Sequence, residues 1–433
     1  MRIIFSLPVF LLLAFLMNGC RKAEKYLPTD VEILSPPEYA SFNLPASIRV
    51  QVSVKSHYPI NYIRISVNNA DLIPMFGQKV FYPSTADTTI DYQMAADYLP
   101  AGEDGPFTIH IVVDDGKNLT SVFRSIRFVN APLRFKGFYL ITRSGINETR
   151  IAYYDSTFVV HPFANLNGNF AGACFSGTND LLFVATSLPS RLSAFQFDGA
   201  DLKWENSPEQ PYPEYNDLVC NNNSLYAAMA NERIAILSQS GGNQKLSTPI
   251  MPDTVPGKVT VSDDYFIADF RLRTPGQRVW MTFYKTTGNV YKRFSTDIKV
   301  IDFYPFTDGS GFYVFGNRGG QGLFGFYYPG GNFISGETDL QPEALSKTAR
   351  INEHLFLFIS GKTLFRFDAI NKIPVMLKEF DEEIVDMAFD DIENNIFVAM
   401  ENRVDVLSYP GLQLKKAILV TAPVKAIRLR YYY

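Results

Sequence analysis

The chain has 433 residues, 46% hydrophobic and 19% charged, with 36 Phe and 24 Tyr, which excludes a disordered chain and exceeds what one ordinary core holds. Its 40 basic and 44 acidic residues are interspersed for a net charge of −4; no basic stripe exists to neutralise phosphates, so nucleic-acid binding has no support. Phe, Tyr, Val and Ile favour pleated surfaces, and 28 Gly and 26 Pro supply turns, a mixture that points to an all-β protein.

Met1 and Arg2 form a short basic start, and Ile3 to Met17 is almost uninterrupted apolar sequence. That run is short of the roughly 20 residues of a bilayer span and right for the core of a signal peptide over residues 1–19. Leu16-Met17-Asn18-Gly19-Cys20 follows, then a change to Arg21-Lys22-Ala23-Glu24-Lys25. A small residue before a Cys at the end of an apolar core resembles the lipobox of bacterial lipoproteins, in the lax form typical of Bacteroidota. The resemblance implies cleavage after Gly19, acylation of Cys20 and a lipid bilayer as partner. Residues 20–30 are then a lipidated tether. Several acyl chains anchor a protein stably where one holds it only marginally. Asp, associated with inner-membrane retention, is absent after Cys20, so the resemblance favours the outer membrane. Arg21 and Lys22 stand where surface lipoproteins carry acidic residues, leaving the periplasmic and surface faces open.

Over residues 31–130 short alternating runs dominate. Ser47 to Val54 places Ile48, Val50, Val52 and Val54 on one face and Arg49, Gln51 and Ser53 on the other, the period of a half-buried strand. Ile60 to Val67 and Phe107 to Val113 repeat the pattern, and Asp114 to Asn118 reads as a turn into Thr120 to Val129. This is the size and rhythm of an immunoglobulin-like sandwich. Val31-Glu32-Ile33-Leu34-Ser35-Pro36-Pro37 and the late Asp-Asp-Gly-Lys-Asn turn resemble bacterial Ig-like modules, which implies a spacer or docking unit.

Residues 134–433 repeat. Apolar strands begin at Phe138, Leu181, Leu225, Tyr265, Phe312, Leu355 and Ile396, 40 to 47 residues apart, a period suited to four-stranded propeller blades. Each is followed by a second strand and turn residues such as Gly288-Asn289, Gly330-Gly331 and Pro410-Gly411. A strand precedes every copy except the first, while Val424 to Leu429 is left over at the C-terminus. The expectation is a seven-bladed β-propeller closed by the C-terminal strand. A β-solenoid or stacked sandwiches would share the strand count, but solenoid coils repeat at shorter periods.

No catalytic constellation stands out. His57, His110, His161 and His354 lack the paired spacing of metal sites, and no cofactor is expected. Cys174 and Cys220 fall near the inner strands of neighbouring repeats; since adjacent blades diverge, free buried thiols are the expectation. Gly319-Gly320-Gln321-Gly322 opens no helix and lacks the form of a phosphate loop. Asp263-Asp264, Glu382-Glu383 and Asp390-Asp391 read as turns. The Trp docking of quinoprotein dehydrogenases and the Gly-Gly of kelch repeats are absent, and Asp308-Gly309-Ser310-Gly311 only echoes the sialidase box. Trp204, Tyr212 and Tyr215, in a stretch that also holds Pro208, Pro211 and Pro213, are candidate ligand-contact aromatics. Asp87-Thr88-Thr89, Asp155-Ser156-Thr157 and Asp253-Thr254-Val255 match the short O-glycosylation pattern of Bacteroidota, making Thr88, Ser156 and Thr254 candidate acceptors. The functional expectation is a membrane-anchored, non-enzymatic binding or scaffold lipoprotein whose propeller engages a protein or glycan. The alternative is a carbohydrate-active enzyme with its site at the channel mouth.

Overall fold

The computed structural model describes residues 27–69, 72–96, 105–130, 133–197, 200–207, 215–221, 223–274, 276–341 and 343–432. The signal segment and Cys20 lie outside them. The named elements of the described residues are all strands, and among those residues no helix is long and apolar enough to cross a membrane. The chain divides into two compact units, Met1–Pro132 and Leu133–Tyr433.

In the first unit a three-stranded sheet (Asp30–Ser35, Ala46–Lys55 and Asp87–Ala96) faces a five-stranded one. The latter runs Ala40–Leu44, Leu119–Asn130, Gly105–Asp114, Tyr62–Asn68, Pro74–Phe81 in spatial order, its first pair parallel and the others antiparallel. Period-two alternation puts Ile48, Val50, Val52 and Val54 fully inside, against Ile63, Ile65, Val67, Ile109, Ile111 and Val113 of the other sheet. Full burial of each such side chain stabilises by about 1.5–3 kcal/mol before entropy is subtracted. The Asp114-to-Asn118 turn is fastened by Asp115. Its carboxylate accepts from Thr29 Oγ1 (2.5 Å), Ser56 Oγ (2.7 Å) and the amides of Lys117 (2.9 Å) and Asn118 (2.6 Å). Burial works against the charge there, but the donors outweigh it and hold the carboxyl well below its ordinary range.

The described residues of the second unit form seven four-stranded sheets, all antiparallel. Six are built from consecutive strands, inner to outer. The first takes its inner strand from the chain end: Val424–Tyr432 pairs with Arg134–Gly145, with Ile427 opposite Leu140 and Leu429 opposite Phe138. The other inner strands are Asn169–Ser176, Tyr215–Asn221, Thr254–Val261, Lys299–Pro305, Leu345–Arg350 and Asp386–Asp390. Each inner strand lies beside the next, and Val424–Tyr432 lies beside both Asp386–Asp390 and Asn169–Ser176, so the cycle closes. Seven separate hydrophobic clusters fill the gaps between neighbouring sheets. Trp280, for example, meets Phe303 and Tyr327 of the following sheet edge to face, at 5.5 and 5.4 Å between ring centroids.

The closing strand is held by charge as well as by pairing. Arg430, only 6% exposed, donates from Nε and Nη2 to both Asp180 oxygens (2.8 and 2.7 Å). Its guanidinium lies 3.3 Å from the Phe197 ring centroid. A bidentate pair with a stacked ring is a geometry lysine cannot reproduce.

Candidate functional site

Six of the seven inner strands shift register near their start, between Phe170 and Gly172, Tyr215 and Asp217, Pro256 and Val259, Val300 and Asp302, Leu345 and Lys347, and Val424 and Ala426. Such bulges re-aim side chains. On these strands and on Asp386–Asp390, which has no such shift, charged residues of alternating sign meet from strand to strand: Asp217, Lys258, Asp302, Lys347, Asp386 and Arg428. Lys258 Nζ is 3.8 Å from Asp217 and 3.0 Å from Asp302. Lys347 and Arg428 reach Asp386 at 3.3 and 3.0 Å.

Neutral donors and acceptors complete the belt. Asp217 accepts from the Val259 amide (2.9 Å), Asp302 from Thr348 Oγ1 (2.6 Å) and Asp386 from the Ile427 amide (2.9 Å). Arg428 Nε donates to Ala173 O on the next sheet (2.6 Å). One seam remains, between Asn169–Ser176 and Tyr215–Asn221, and there Cys174 and Cys220 are disulfide-bonded with Cα atoms 6.0 Å apart. Expected from the sequence to be free thiols, they are bridged. The divergence of adjacent sheets governs the outer strands, whereas the inner strands converge to bridging distance. Every seam of the cycle thus has an ionic, hydrogen-bonded or covalent link between inner strands.

The second unit is a β-propeller. That reading rests on its strand pairing and closed cycle. No protein-family model matches the chain, and no curated protein does. It is similar to solved propellers: the Dos1 propeller, 12% identical over 67% of this chain and 87% of that one with a TM-score of 0.49, and the β-propeller domain of Myceliophteria thermophila Cps50 (Swd1), 9% identical over 61% of this chain and 91% of that one, also with a TM-score of 0.49.

The belt acts on the protonation of Asp386, Asp217 and Lys258. Burial works against the charge on Asp386, but Lys347 and Arg428 outweigh it and hold its pKa below the ordinary value. At Asp217 burial prevails over Lys258 and raises the pKa. Burial would lower Lys258, yet Asp217 and Asp302 raise it. Each of the three carboxylates already serves at least two donors, which suits fastening of strands rather than proton transfer.

A second concentration of chemistry lies where the sheet containing Lys299–Pro305 borders the one containing Leu345–Arg350. Phe306, Tyr313, Phe326 and Tyr328 line an open depression of about 480 Å³, with Asp308, Glu353 and His354 among the polar groups of its wall. Phe326 and Tyr328 share one face of the Gln321–Tyr328 strand by period two. Phe306 sits in the loop before Phe312–Arg318, and only glycine allows its ring there. A Cβ on Gly311 would fall 2.7 Å from the ring and 2.6 Å from Tyr327 O. In the same loop Asp308 accepts from the Ser310 amide (2.9 Å) and hydroxyl (2.7 Å), which lower its pKa. The Tyr313 hydroxyl meets His354 Nδ1 at 2.7 Å. Burial raises the Tyr313 pKa, with Arg350, Glu353, Tyr328 and Asp308 all close enough to act on it electrostatically.

The aromatics singled out from the sequence are placed differently. Tyr215 is 5% exposed and belongs to an inner strand. Trp204 lies in the outer strand Leu202–Asn206, donates from its indole N–H to Gln239 O (2.7 Å), and lies so close to Gly242 that a Cβ there would clash with the ring. Neither is the free stacking platform expected, because the neighbouring sheet covers both; Tyr212 lies outside the described residues. Of the candidate glycosylation acceptors, Ser156 is exposed in a turn and Thr88 half-buried in a strand. Thr254 is a correction: it is buried, and its hydroxyl donates to Met251 O (2.6 Å).

The histidines stay apart. His110 stacks on Phe123, His161 meets Asp155, His354 meets Tyr313 and His57 is exposed. Among the described residues no group of three or more His, Cys, Asp or Glu is placed to hold a metal. The belt and the depression were both missed from sequence. The signals were a lone charged residue of alternating sign inside successive apolar inner strands, and aromatic density in the fifth repeat.

Proposed function

We propose that this chain is a membrane-anchored, non-enzymatic binding or scaffold lipoprotein of the bacterial cell envelope, acylated at Cys20. An Ig-like sandwich over residues 31–130 and a seven-bladed propeller over 134–433 follow the anchor, and a propeller face engages a protein or glycan. One observation carries the binding reading. The inner carboxylates are committed to cations and amides of adjoining strands, while the aromatic depression is concave, open and flanked by polar groups. Small-ligand sites have this form, mostly apolar with a few convergent polar groups. The Cys174–Cys220 bridge supports export, since such bonds persist in oxidising compartments.

Palmitate labelling in a bacterial host tests the anchor: the wild-type chain takes up label and stays with the outer membrane, and Cys20→Ala does neither. Label on Cys20→Ala would overturn it. Cross-linking on intact cells and incubation with envelope polysaccharides test the role. Capture of a specific protein or retention of a glycan without turnover supports binding. Polysaccharide cleavage that disappears in Asp217→Asn or Asp302→Asn would replace it with a carbohydrate-active enzyme.

A further inference from the structure

We infer that the depression lined by Phe306, Tyr313, Phe326 and Tyr328 binds a neutral sugar unit of a glycan chain; this rests on the binding role proposed above. Its volume of about 480 Å³ falls within the roughly 300–1,000 Å³ of small-ligand pockets. A protein partner instead covers a broad surface of about 800 Å² per side. The size selects a ligand unit of a few rings at most.

Charge narrows the class. Asp308 is held ionised by the Ser310 amide and hydroxyl, and Glu353 stands on the same wall. Two carboxylates repel an anionic ligand. A cationic ligand is repelled in turn by two basic side chains beside the rings. Arg350 lies 6.0 Å from the Tyr313 ring centroid and Lys372 lies 5.5 Å from that of Phe326. Both are fixed by carbonyls, Arg350 by Pro305 O and Lys372 by Gly336 O, each at 3.0 Å. Nor do the rings form a box around a cation. They pack on one another at 4.6 to 6.2 Å between centroids, as a continuous mosaic.

A ligand with no charge, an apolar C–H face and hydroxyls at its rim fits what is left. The C–H face of a pyranose lies on the partly exposed rings of Phe306 and Tyr328, backed by buried Tyr313, and their polarised edges and faces attract it. Its hydroxyls donate to the Asp308 and Glu353 carboxylates, while His354, whose Nδ1 meets Tyr313 and whose Nε2 lies 4.0 Å from Glu353, holds the wall beside them. Hydrogen bonds to ionised acceptors are the strong ones, so the carboxylates carry the selectivity.

The test is calorimetric titration of the full chain in detergent with neutral oligosaccharides of glucose, mannose, galactose and N-acetylglucosamine. A uronate oligomer and tri-lysine serve as charged controls. Binding of a neutral oligosaccharide but neither control is expected, weakened about 10-fold or more in Asp308→Asn and in Glu353→Gln. Unchanged melting of both variants keeps the loss from reflecting unfolding. Tyr328→Leu, which removes the ring but keeps an apolar side chain, is expected to weaken binding as well. Neutral-sugar binding unaffected by all three variants would place the site elsewhere and overturn the proposal, leaving the binding role intact. Binding of the uronate or tri-lysine instead, lost in the variants, would overturn the ligand class. If no neutral oligosaccharide binds the wild-type chain, the proposal fails, and capture of an envelope protein by cross-linking then decides the binding role separately.

Discussion

The sandwich and the propeller fill their interiors with different residues. The sandwich core is mainly aliphatic, built on Ile48, Val50, Val52, Ile63, Ile65, Ile109 and Ile111 with Phe107 and Phe128 added, because two packed sheets about 10 Å apart leave room for β-branched side chains from each face. The propeller's gaps hold Trp280, Phe183, Phe266, Phe315, Phe324 and Tyr327. Sheets that radiate from an axis leave wedges wider than that spacing, and large rings fill them. The fastening differs too. The five-stranded sheet of the sandwich includes the hairpin of Gly105–Asp114 and Leu119–Asn130, whereas the propeller is shut by a residue that reaches a partner 250 positions earlier, Arg430 to Asp180. The sandwich also joins distant segments, Ala40–Leu44 to Leu119–Asn130, but the ring depends on a strand from the far end of its own repeat array.

Deleting residues 422–433 is the most severe challenge to that contrast. Without the Val424–Tyr432 strand the first propeller sheet loses its inner member and the ring an unpaired edge is exposed to solvent. Hydrogen exchange is expected to show protection lost across the propeller sheets and kept in the sandwich strands; equal protection in both would mean that the ring closes without its last strand. Arg430→Ala is a smaller cut at the same place. It leaves Asp180 without its guanidinium in a largely buried site, a loss of about 3–5 kcal/mol for a broken buried pair. Denaturant unfolding followed in the propeller should shift by that amount, with Arg430→Lys recovering only part because it cannot form the fork.

The propeller is more legible in the sequence than its chemistry is, for physical reasons. A strand that recurs every 40 to 47 residues, with Val424 to Leu429 left over, announces both the repeat and its closure. Pairing obeys a period that a single sequence displays. At Asp217, Lys258, Asp302 and Lys347 the belt lies beside a bulge, and no period encodes a bulge. Asp217, Lys258, Asp302 and Asp386 look like interruptions of apolar strands until the inner strands are set side by side. The Cys174–Cys220 bridge was hidden likewise, since the sequence tells that sheets diverge but not that inner strands meet. The depression escaped because aromatic residues also fill the wedges, so ring content alone cannot separate lining from core. Trp204 misled for the same reason: its surroundings of Pro and Tyr read as an open loop, yet its indole covers Gly242.

Breaking the Cys174–Cys220 bridge sharpens the contrast at a seam where no ion pair joins the belt. Cross-linking residues 46 positions apart stabilises by about 2–4 kcal/mol, mainly through the unfolded chain. The Cys174→Ser, Cys220→Ser double variant is expected to lower propeller stability by that amount and leave exchange in the sandwich unchanged. The fastest new exchange should appear in Asn169–Ser176 and Tyr215–Asn221. Exchange rising equally at every seam would show that the bridge acts on the ring as a whole.

The smallest expected effect is at Asp386, where the belt predicts a direction with pH as well as a size. Its folded pKa lies below the ordinary value because Lys347 and Arg428 outweigh the cost of burial. The carboxylate therefore adds stability above its unfolded pKa of about 4, and that stability is lost as pH falls through the lower folded value. Lys347 and Arg428 are both partly exposed, so solvent screens the pair and the contribution is about 1 kcal/mol. Asp386→Asn keeps an acceptor for the Ile427 amide and removes the charge. At pH 7 it should cost the propeller about that much, and the cost should shrink towards zero as both chains are brought to pH 2. Asp217, whose pKa burial raises, has the opposite sign: its ionisation weakens the fold, so Asp217→Asn should cost less at pH 7 than Asp386→Asn. Equal losses in the two variants, independent of pH, would mean that the belt acts through its hydrogen bonds alone and that its alternating charges contribute nothing.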